Sequence, residues 1–376
     1  MISNKPDVLI VGGGVIGLSI AYYLSKKKVQ VTLLEKGRVG KEASSAAAGM
    51  LGAQVESEFP GPMVELCLKS RKMFPVLSQE LKEKTGLDIE WDGSGLLRLA
   101  VDSVEAEELK KRAKWQRKQG EAVEWWEREE IEINEPFLAK SLEGALYIPE
   151  DGQVSAPRLV QAYATAARLM GAEFLEGVNV QGIECHKGSI VKLNTSAGVF
   201  EPETVILTAG AWMGSLADQL GVNLPIVPVK GESLSLVPQR RLMQRTLFGK
   251  RCYLVPKADG QIIVGATEIE RDTSPGVSAG AIQNLIQEAC RLVPNLKQAE
   301  YLHSWSGIRP KTLDGLPYLG SVPGFNRLFV AGGHFRNGIL LSAVTGQKMA
   351  ELVTGKSVPL LAPFSPERIC NVACRQ

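Results

Sequence analysis

The stretch VLIVGGGVIGLSIAYYLSKKKVQVTLLE, residues 8–35, decides the fold. It reads strand, glycine turn, helix, strand. Residues 8–11 and 31–34 are continuous apolar runs, and residues 18–27 between them have helical character. Strands that are hydrophobic without alternation fit a parallel sheet covered on both faces. The turn is Gly12-x-Gly14-x-x-Gly17. Gly12 permits the tight bend, Gly14 lets a pyrophosphate approach the backbone, and Gly17 lets the helix pack closely on the strand. The helix start, rich in free N–H groups, faces the phosphates. Glu35, closing the second strand, stands where a carboxylate accepts hydrogen bonds from both ribose hydroxyls. Residues 8–24 are not read as a membrane span or signal peptide. They fall short of the roughly 20 residues a spanning helix needs, and the basic run Lys26-Lys27-Lys28 follows them instead of preceding them.

Two later stretches repeat the pattern of an apolar strand running into glycine. They are ETVILTAGAW, residues 203–212, and FVAGGHFRNG, residues 329–338. A long dinucleotide such as FAD touches a chain at several such turns. The helix after the second turn could set its positive end beside a flavin, where negative charge develops on reduction. Between these stretches the pattern changes. Residues 226–267 read as longer strands with turns, as in an antiparallel sheet, and residues 62–85, 103–119, 157–170 and 277–292 read as helices. Strand signals also cover residues 88–101. The expected fold is therefore α/β: a Rossmann-type dinucleotide domain with a discontinuous α+β substrate domain built on an antiparallel sheet. The first is assigned residues 1–85, 145–225 and 305–365, the second 86–144 and 226–304. Residues 366–376 read as a disordered tail.

The composition narrows the function classes. The chain has 376 residues, with 43 Lys+Arg against 41 Asp+Glu, so no basic excess exists to neutralise nucleic-acid phosphates or to hold a membrane surface. Six scattered cysteines form no CxxC pair and point to reduced thiols in the cytosol. Three histidines, none in a ligand or triad motif, argue against zinc chemistry and a Ser-His triad, and no metal site is expected.

The fingerprint, SSAAAGML at 44–51, SGIRPKTLDGLPYLG at 306–320 and GGHFRNGILL at 332–341 together resemble the D-amino-acid oxidase and sarcosine oxidase group of FAD oxidoreductases, and within it the glycine oxidases of thiamine biosynthesis. The resemblance covers nearly the whole chain. It implies FAD held without a covalent link, since no cysteine stands in the RPKTLDG stretch. It implies flavin contacts at Val15, Ile16, Glu35 and Lys36, then at Ser44, Ala48, Gly49 and Met50, and at the backbone of Val180. The last contacts are the run His334, Phe335, Arg336, Asn337, Gly338, Ile339 and Leu340. Arg309 would pair with the substrate carboxylate, Tyr253 would hydrogen-bond it, and Arg336 would lie close by. An arginine fork matches a carboxylate bidentately. The implied reaction is oxidation of glycine, sarcosine or small D-amino acids to the 2-oxo acid with dioxygen as acceptor, by a homotetramer in the cytoplasm.

Three points stay open in the sequence. The acceptor could be a quinone or another carrier instead of dioxygen, and a flavin module that only binds a partner protein is the third reading. Glu268 stands where the glycine oxidases carry an apolar methionine after VGAT: facing the site, it could change selectivity or pKa near the substrate amine, and pointing outward, the reading slightly favoured, it is a solvated loop charge.

Overall fold

The computed structural model describes residues 4–369. Among them the strands form four sheets. The first holds six strands in the order Tyr318–Ser321, Leu328–Gly332, Thr204–Leu207, Val8–Val11, Val31–Glu35 and Glu173–Glu176. All its pairings are parallel except the outermost, Tyr318–Ser321 on Leu328–Gly332. The central strand explains why four apolar residues run without a break. Val8 and Ile10 pack into the cluster that holds the helices, whereas Leu9 and Val11 pack into one with Val180, Ile183, Leu193 and Phe200. The second face is thus covered by a three-stranded meander, Val180–His186, Ser189–Thr195 and Gly198–Phe200.

The helix face depends on one close approach. Helix Val15–Lys26 lies against helix Gly338–Val353. A Cβ added to Gly346 would sit 2.0 Å from Ser19 Oγ and 2.8 Å from Tyr23 Cδ2. Ser19 Oγ in turn donates to the Ser342 carbonyl at 2.7 Å. The C-terminal helix therefore closes over the first helix with no space for a side chain at the crossing.

The second large sheet runs Ile269–Glu270, Ile226–Val237, Ile262–Gly265, Tyr253–Pro256, Thr246–Phe248, Leu96–Ala100, Gly144–Ile148 and Glu124–Trp126. The long strand Glu300–Thr312 also pairs with Ile226–Val237. It is antiparallel except at one place: Thr246–Phe248 runs parallel to Leu96–Ala100, where two distant parts of the chain meet. Strand Gly144–Ile148 belongs to this sheet, and Glu300–Thr312 crosses residue 305, so two of the expected domain edges fall inside paired strands.

Local expectations are corrected in three places. Residues 62–85 form two helices, Pro62–Arg71 and Phe74–Thr85, because Pro75 lies in the first turn of the second and its ring cannot continue a helix from before. Of residues 88–101 only Leu96–Ala100 is a ladder strand. Asp92 turns the chain by accepting from Ser94 N and makes a single bridge to Gln153. In the expected tail, Pro366–Arg368 is a 3-10 turn whose Arg368 pairs with Asp314 at 2.7 Å, while residues 370–376 lie outside the described residues. Among the described residues no helix is long and apolar enough to cross a membrane.

Replacing Gly346 by Val should lower stability by about 1–3 kcal/mol through overpacking at the helix crossing. Thermal unfolding of the variant against the parent chain measures this, and an unchanged midpoint would show that the crossing can open without cost.

Candidate functional site

A cavity of about 790 Å³ runs from the end of the parallel sheet to the second large sheet, within the range of cofactor and ligand pockets. Its first end is the glycine turn. Gly12 has φ +114° and no room for a side chain, since a Cβ would lie 2.6 Å from the Thr208 carbonyl oxygen. Gly14 caps helix Val15–Lys26 without a side-chain hydrogen bond. The helix start thus opens directly on the cavity, with Val15 and Ile16 in its wall. Ser44 Oγ accepts from Val15 N at 2.9 Å. Gly17 stands behind the wall: a Cβ there would be 2.1 Å from the Gly12 carbonyl oxygen.

Glu35 and Lys36 line this end. The Glu35 carboxylate also clamps the surrounding loops, one oxygen accepting from Gly13 N and the other from Gly37 N, each at 2.7 Å. A carboxylate has about four acceptor positions, so both oxygens keep capacity toward a ribose. Ala48, Gly49 and Met50 form one side of the passage, and Val180 another. Lys257, half-buried, fixes that side. Its Nζ donates to the Ala48 carbonyl at 2.6 Å, to Gln153 Oε1 at 2.8 Å and to the Val154 carbonyl at 3.1 Å. Burial brings the Lys257 ammonium down to about 8.

A second helix start reaches the same cavity. The 3-10 turn Phe335–Asn337 leads into helix Gly338–Val353, which also has no side-chain cap. His334, Phe335, Arg336, Gly338 and Ile339 line the wall. Asn337 and Leu340 do not. The Asn337 N–H turns back to the His334 carbonyl, and Leu340 is buried in the helix core, so these two expected contacts are outside the cavity wall. His334 is buried, 3.1 Å from Thr345 Oγ1 through Nε2, and burial drops its pKa to about 3. It is a neutral hydrogen-bonding group there. Two helix starts in one cavity favour negative charge at two places along a long ligand.

The far end is built by the second large sheet. Gly231 makes space for Arg309 on the neighbouring strand: a Cβ at Gly231 would lie 2.2 Å from Arg309 Nη1. Nη1 donates to the Thr267 carbonyl at 3.1 Å. Among the described residues Arg309 has no carboxylate partner. Tyr253 is paired with Gly265, where a Cβ would lie 2.5 Å from the tyrosine oxygen. No protein group hydrogen-bonds that hydroxyl among the described residues. Arg336 differs. Its Nε donates to Glu56 Oε2 at 2.9 Å and its Nη1 to Glu268 Oε1 at 2.5 Å. Glu268 therefore lines the cavity and is ion-paired, the inward one of the two readings that the sequence left open. Sequence reasoning missed Glu56, Phe248 and Lys257, which carry no motif. Thr208 lay in a stretch already read as nucleotide-facing, and its Oγ1 donates to the Gly12 carbonyl at 2.8 Å.

Cys252 also lines the cavity, and burial pushes its thiol up to about 12. It is an unreactive neutral thiol. Two helix starts at the cavity, an acid at the end of the second strand, and a long cavity lined by both large sheets fit an FAD.

The cavity's placement of His334 makes stability depend on pH. Its folded pKa lies below the ordinary value of 6.5, so between about pH 3 and 6.5 the unfolded chain binds more protons, and stability falls as pH is lowered through that window. Urea unfolding at pH 7.5 and 5.0 should show a smaller loss for His334→Gln than for the parent chain. Equal losses would mean that His334 does not stay neutral on acidification.

A model of the FAD dependent oxidoreductase family matches residues 7–352. The glycine oxidase of Geobacillus kaustophilus is 46% identical over 369 residues, covering 97% of this chain and 98% of that protein. Its crystal structure superposes with a TM-score of 0.94, covering 96% of this chain and 98% of that one. The glycine oxidase of Bacillus licheniformis is 38% identical over 97% of this chain and 98% of that protein. The bifunctional protein ThiO/ThiG of a Synechocystis species is 37% identical over 96% of this chain, which spans 54% of that longer protein. By model, sequence and fold alike, the chain belongs to the FAD dependent oxidoreductase family, among its glycine oxidases, and FAD is its cofactor.

Proposed function

We propose that the chain oxidatively deaminates glycine, and by the same geometry sarcosine and small D-amino acids, giving the 2-oxo acid and ammonia or an amine. The observation that carries this reading is the half-buried Arg309 guanidinium, held against Gly231 and lacking a carboxylate, beside a Tyr253 hydroxyl with no protein partner. A cation left unpaired in a partly closed cavity is costly unless a ligand anion completes it. A planar fork and a phenol together fix one carboxylate in one orientation.

Arg309 and Tyr253 hold the acid group, which sets the substrate's α-carbon in the channel and not at its mouth. Orientation of this kind is the largest contribution the protein makes without a base. No protein base is assigned: His334 is spent on Thr345, and Glu56 and Glu268 are spent on Arg336. The substrate amine therefore gives up its proton to water. FAD, when bound, would supply the acceptor for the electron pair of the C–H bond, with dioxygen as final acceptor giving hydrogen peroxide, and water would hydrolyse the resulting imine to the 2-oxo acid and ammonia or an amine.

The expected flavin contacts at Gly12, Gly14, Ser44, Glu35 and the 334–339 segment are part of the same proposal, supported by their place in the wall. The non-covalent link is supported by the buried, protonated Cys252. The two large sheets support a division into a cofactor-holding and a substrate-holding unit. A cytoplasmic setting is supported by free thiols at Cys67, Cys185, Cys252 and Cys290. A homotetramer and a role in thiamine thiazole synthesis rest on the resemblance, and the ThiO/ThiG relative supports the second.

Arg309→Leu should keep its flavin and lose about 100-fold in kcat/KM for glycine, or about 3 kcal/mol, because a buried charge pair is no longer completed. Tyr253→Phe should lose about tenfold, one hydrogen bond. Flavin absorbance and peroxide formation measure both. Glycine kinetics unchanged in Arg309→Leu would remove that residue from the site. A yellow parent protein that no small amine bleaches without oxygen would favour a flavin-binding interaction module, and bleaching without peroxide would favour another electron acceptor.

A further inference from the structure

One short segment, residues 265–268, touches all three groups at the substrate end. Gly265 packs under the Tyr253 hydroxyl, the Thr267 carbonyl accepts from Arg309, and Glu268 pairs with Arg336. Glu56 reaches Arg336 from the loop after Met50–Leu51. That loop is anchored from below, since the buried Asp151 accepts from Gln54 N and Val55 N at 3.0 and 2.9 Å. The cavity therefore carries two guanidiniums of opposite condition. Arg309 is free to take an anion. Arg336 has two carboxylates on it, at 2.9 and 2.5 Å, and the triad's formal charge is −1.

We propose that Glu268 is a specificity-determining residue, which cancels Arg336 as an anion site and so restricts the substrate to a single acid group. This rests on Arg309 being the carboxylate anchor. A second carboxylate on a substrate held at Arg309 would meet Arg336, whose Nε and Nη1 are already donating, and two like charges beside it. Like-charge juxtaposition in a partly desolvated site works against the wrong ligand. An amine with no second acid meets no such penalty, and the net negative triad favours a positively charged amino group nearby. Glu268 is the more adjustable of the two acids. Its side chain is 43% exposed against 17% for Glu56, so removing it leaves no buried donor stranded.

The test compares glycine with iminodiacetate, an amine with two acid groups, on the FAD-loaded parent chain, Glu268→Gln, Glu268→Met and the double variant Glu268→Gln with Arg336→Gln. The dissociation constant of each ligand is read from the perturbation of the flavin spectrum, and kcat/KM from anaerobic flavin reduction. In both single variants the preference for iminodiacetate over glycine should rise about tenfold, mainly through binding. The gain should vanish in the double variant, since it depends on the released Arg336. A preference that stays within twofold of the parent in both single variants would overturn the proposal, as would a gain that persists without Arg336. If glycine fails to reduce the parent flavin, the oxidase reading fails, while the two dissociation constants still decide the role of Glu268.

Discussion

An unpaired guanidinium on a strand is the constraint around which the substrate end is arranged. Arg309 lies on the backbone of Gly231, donates one hydrogen bond to the Thr267 carbonyl and has no carboxylate partner among the described residues. Most charged groups elsewhere in the described chain are satisfied. Arg71 has Asp151, Glu121 and Glu150, and Arg368 has Asp314. A cation held without a partner in a partly buried channel is tolerated when it binds a ligand, because the ligand then supplies the missing anion.

The rest of the architecture brings this group to the cofactor. The parallel sheet ends in the Gly12 turn, and two helices begin at the cavity, the first with Ser44 Oγ on its Val15 N–H and the second with no side-chain cap of its own. Those helices approach closely at Gly346, where no space is left for a side chain, and Ser19 Oγ ties the first to the Ser342 carbonyl of the second. The substrate sheet is attached through partly buried polar contacts. Trp305 Nε1 donates to the Ala46 carbonyl at 2.9 Å, and Lys257 holds the Ala48 and Val154 carbonyls. These bonds keep the 44–50 segment, which lines the passage between the two sheets, in one conformation.

Charge is divided along the channel in a way that suits the chemistry. Neutral His334, protonated Cys252 and the neutralised Arg336 leave few groups that could compete for a proton near the reacting carbon. The protein thus contributes orientation and electrostatic setting, and leaves the redox step to the flavin.

What the sequence determined by itself is local. Residues 8–35 specify a strand, a glycine turn and a helix, because each step is set by short-range sterics and by apolar spacing, and the strand at 204–207 was legible for the same reason. The break at residues 72–73 could have been read from Pro75. The tertiary structure decided everything that depends on a distant partner. Thr246–Phe248 runs parallel to Leu96–Ala100 across about 150 residues of chain, which no turn signal encodes. Glu56 and Arg336 lie 280 positions apart. Glu268 was open between a solvated charge and a site group and is an ion-pair partner at the cavity, because its direction is fixed by how the loop between Ile262–Gly265 and Ile269–Glu270 packs and not by its neighbours in sequence. Composition names the groups available for chemistry, but only packing determines which of them face the same space.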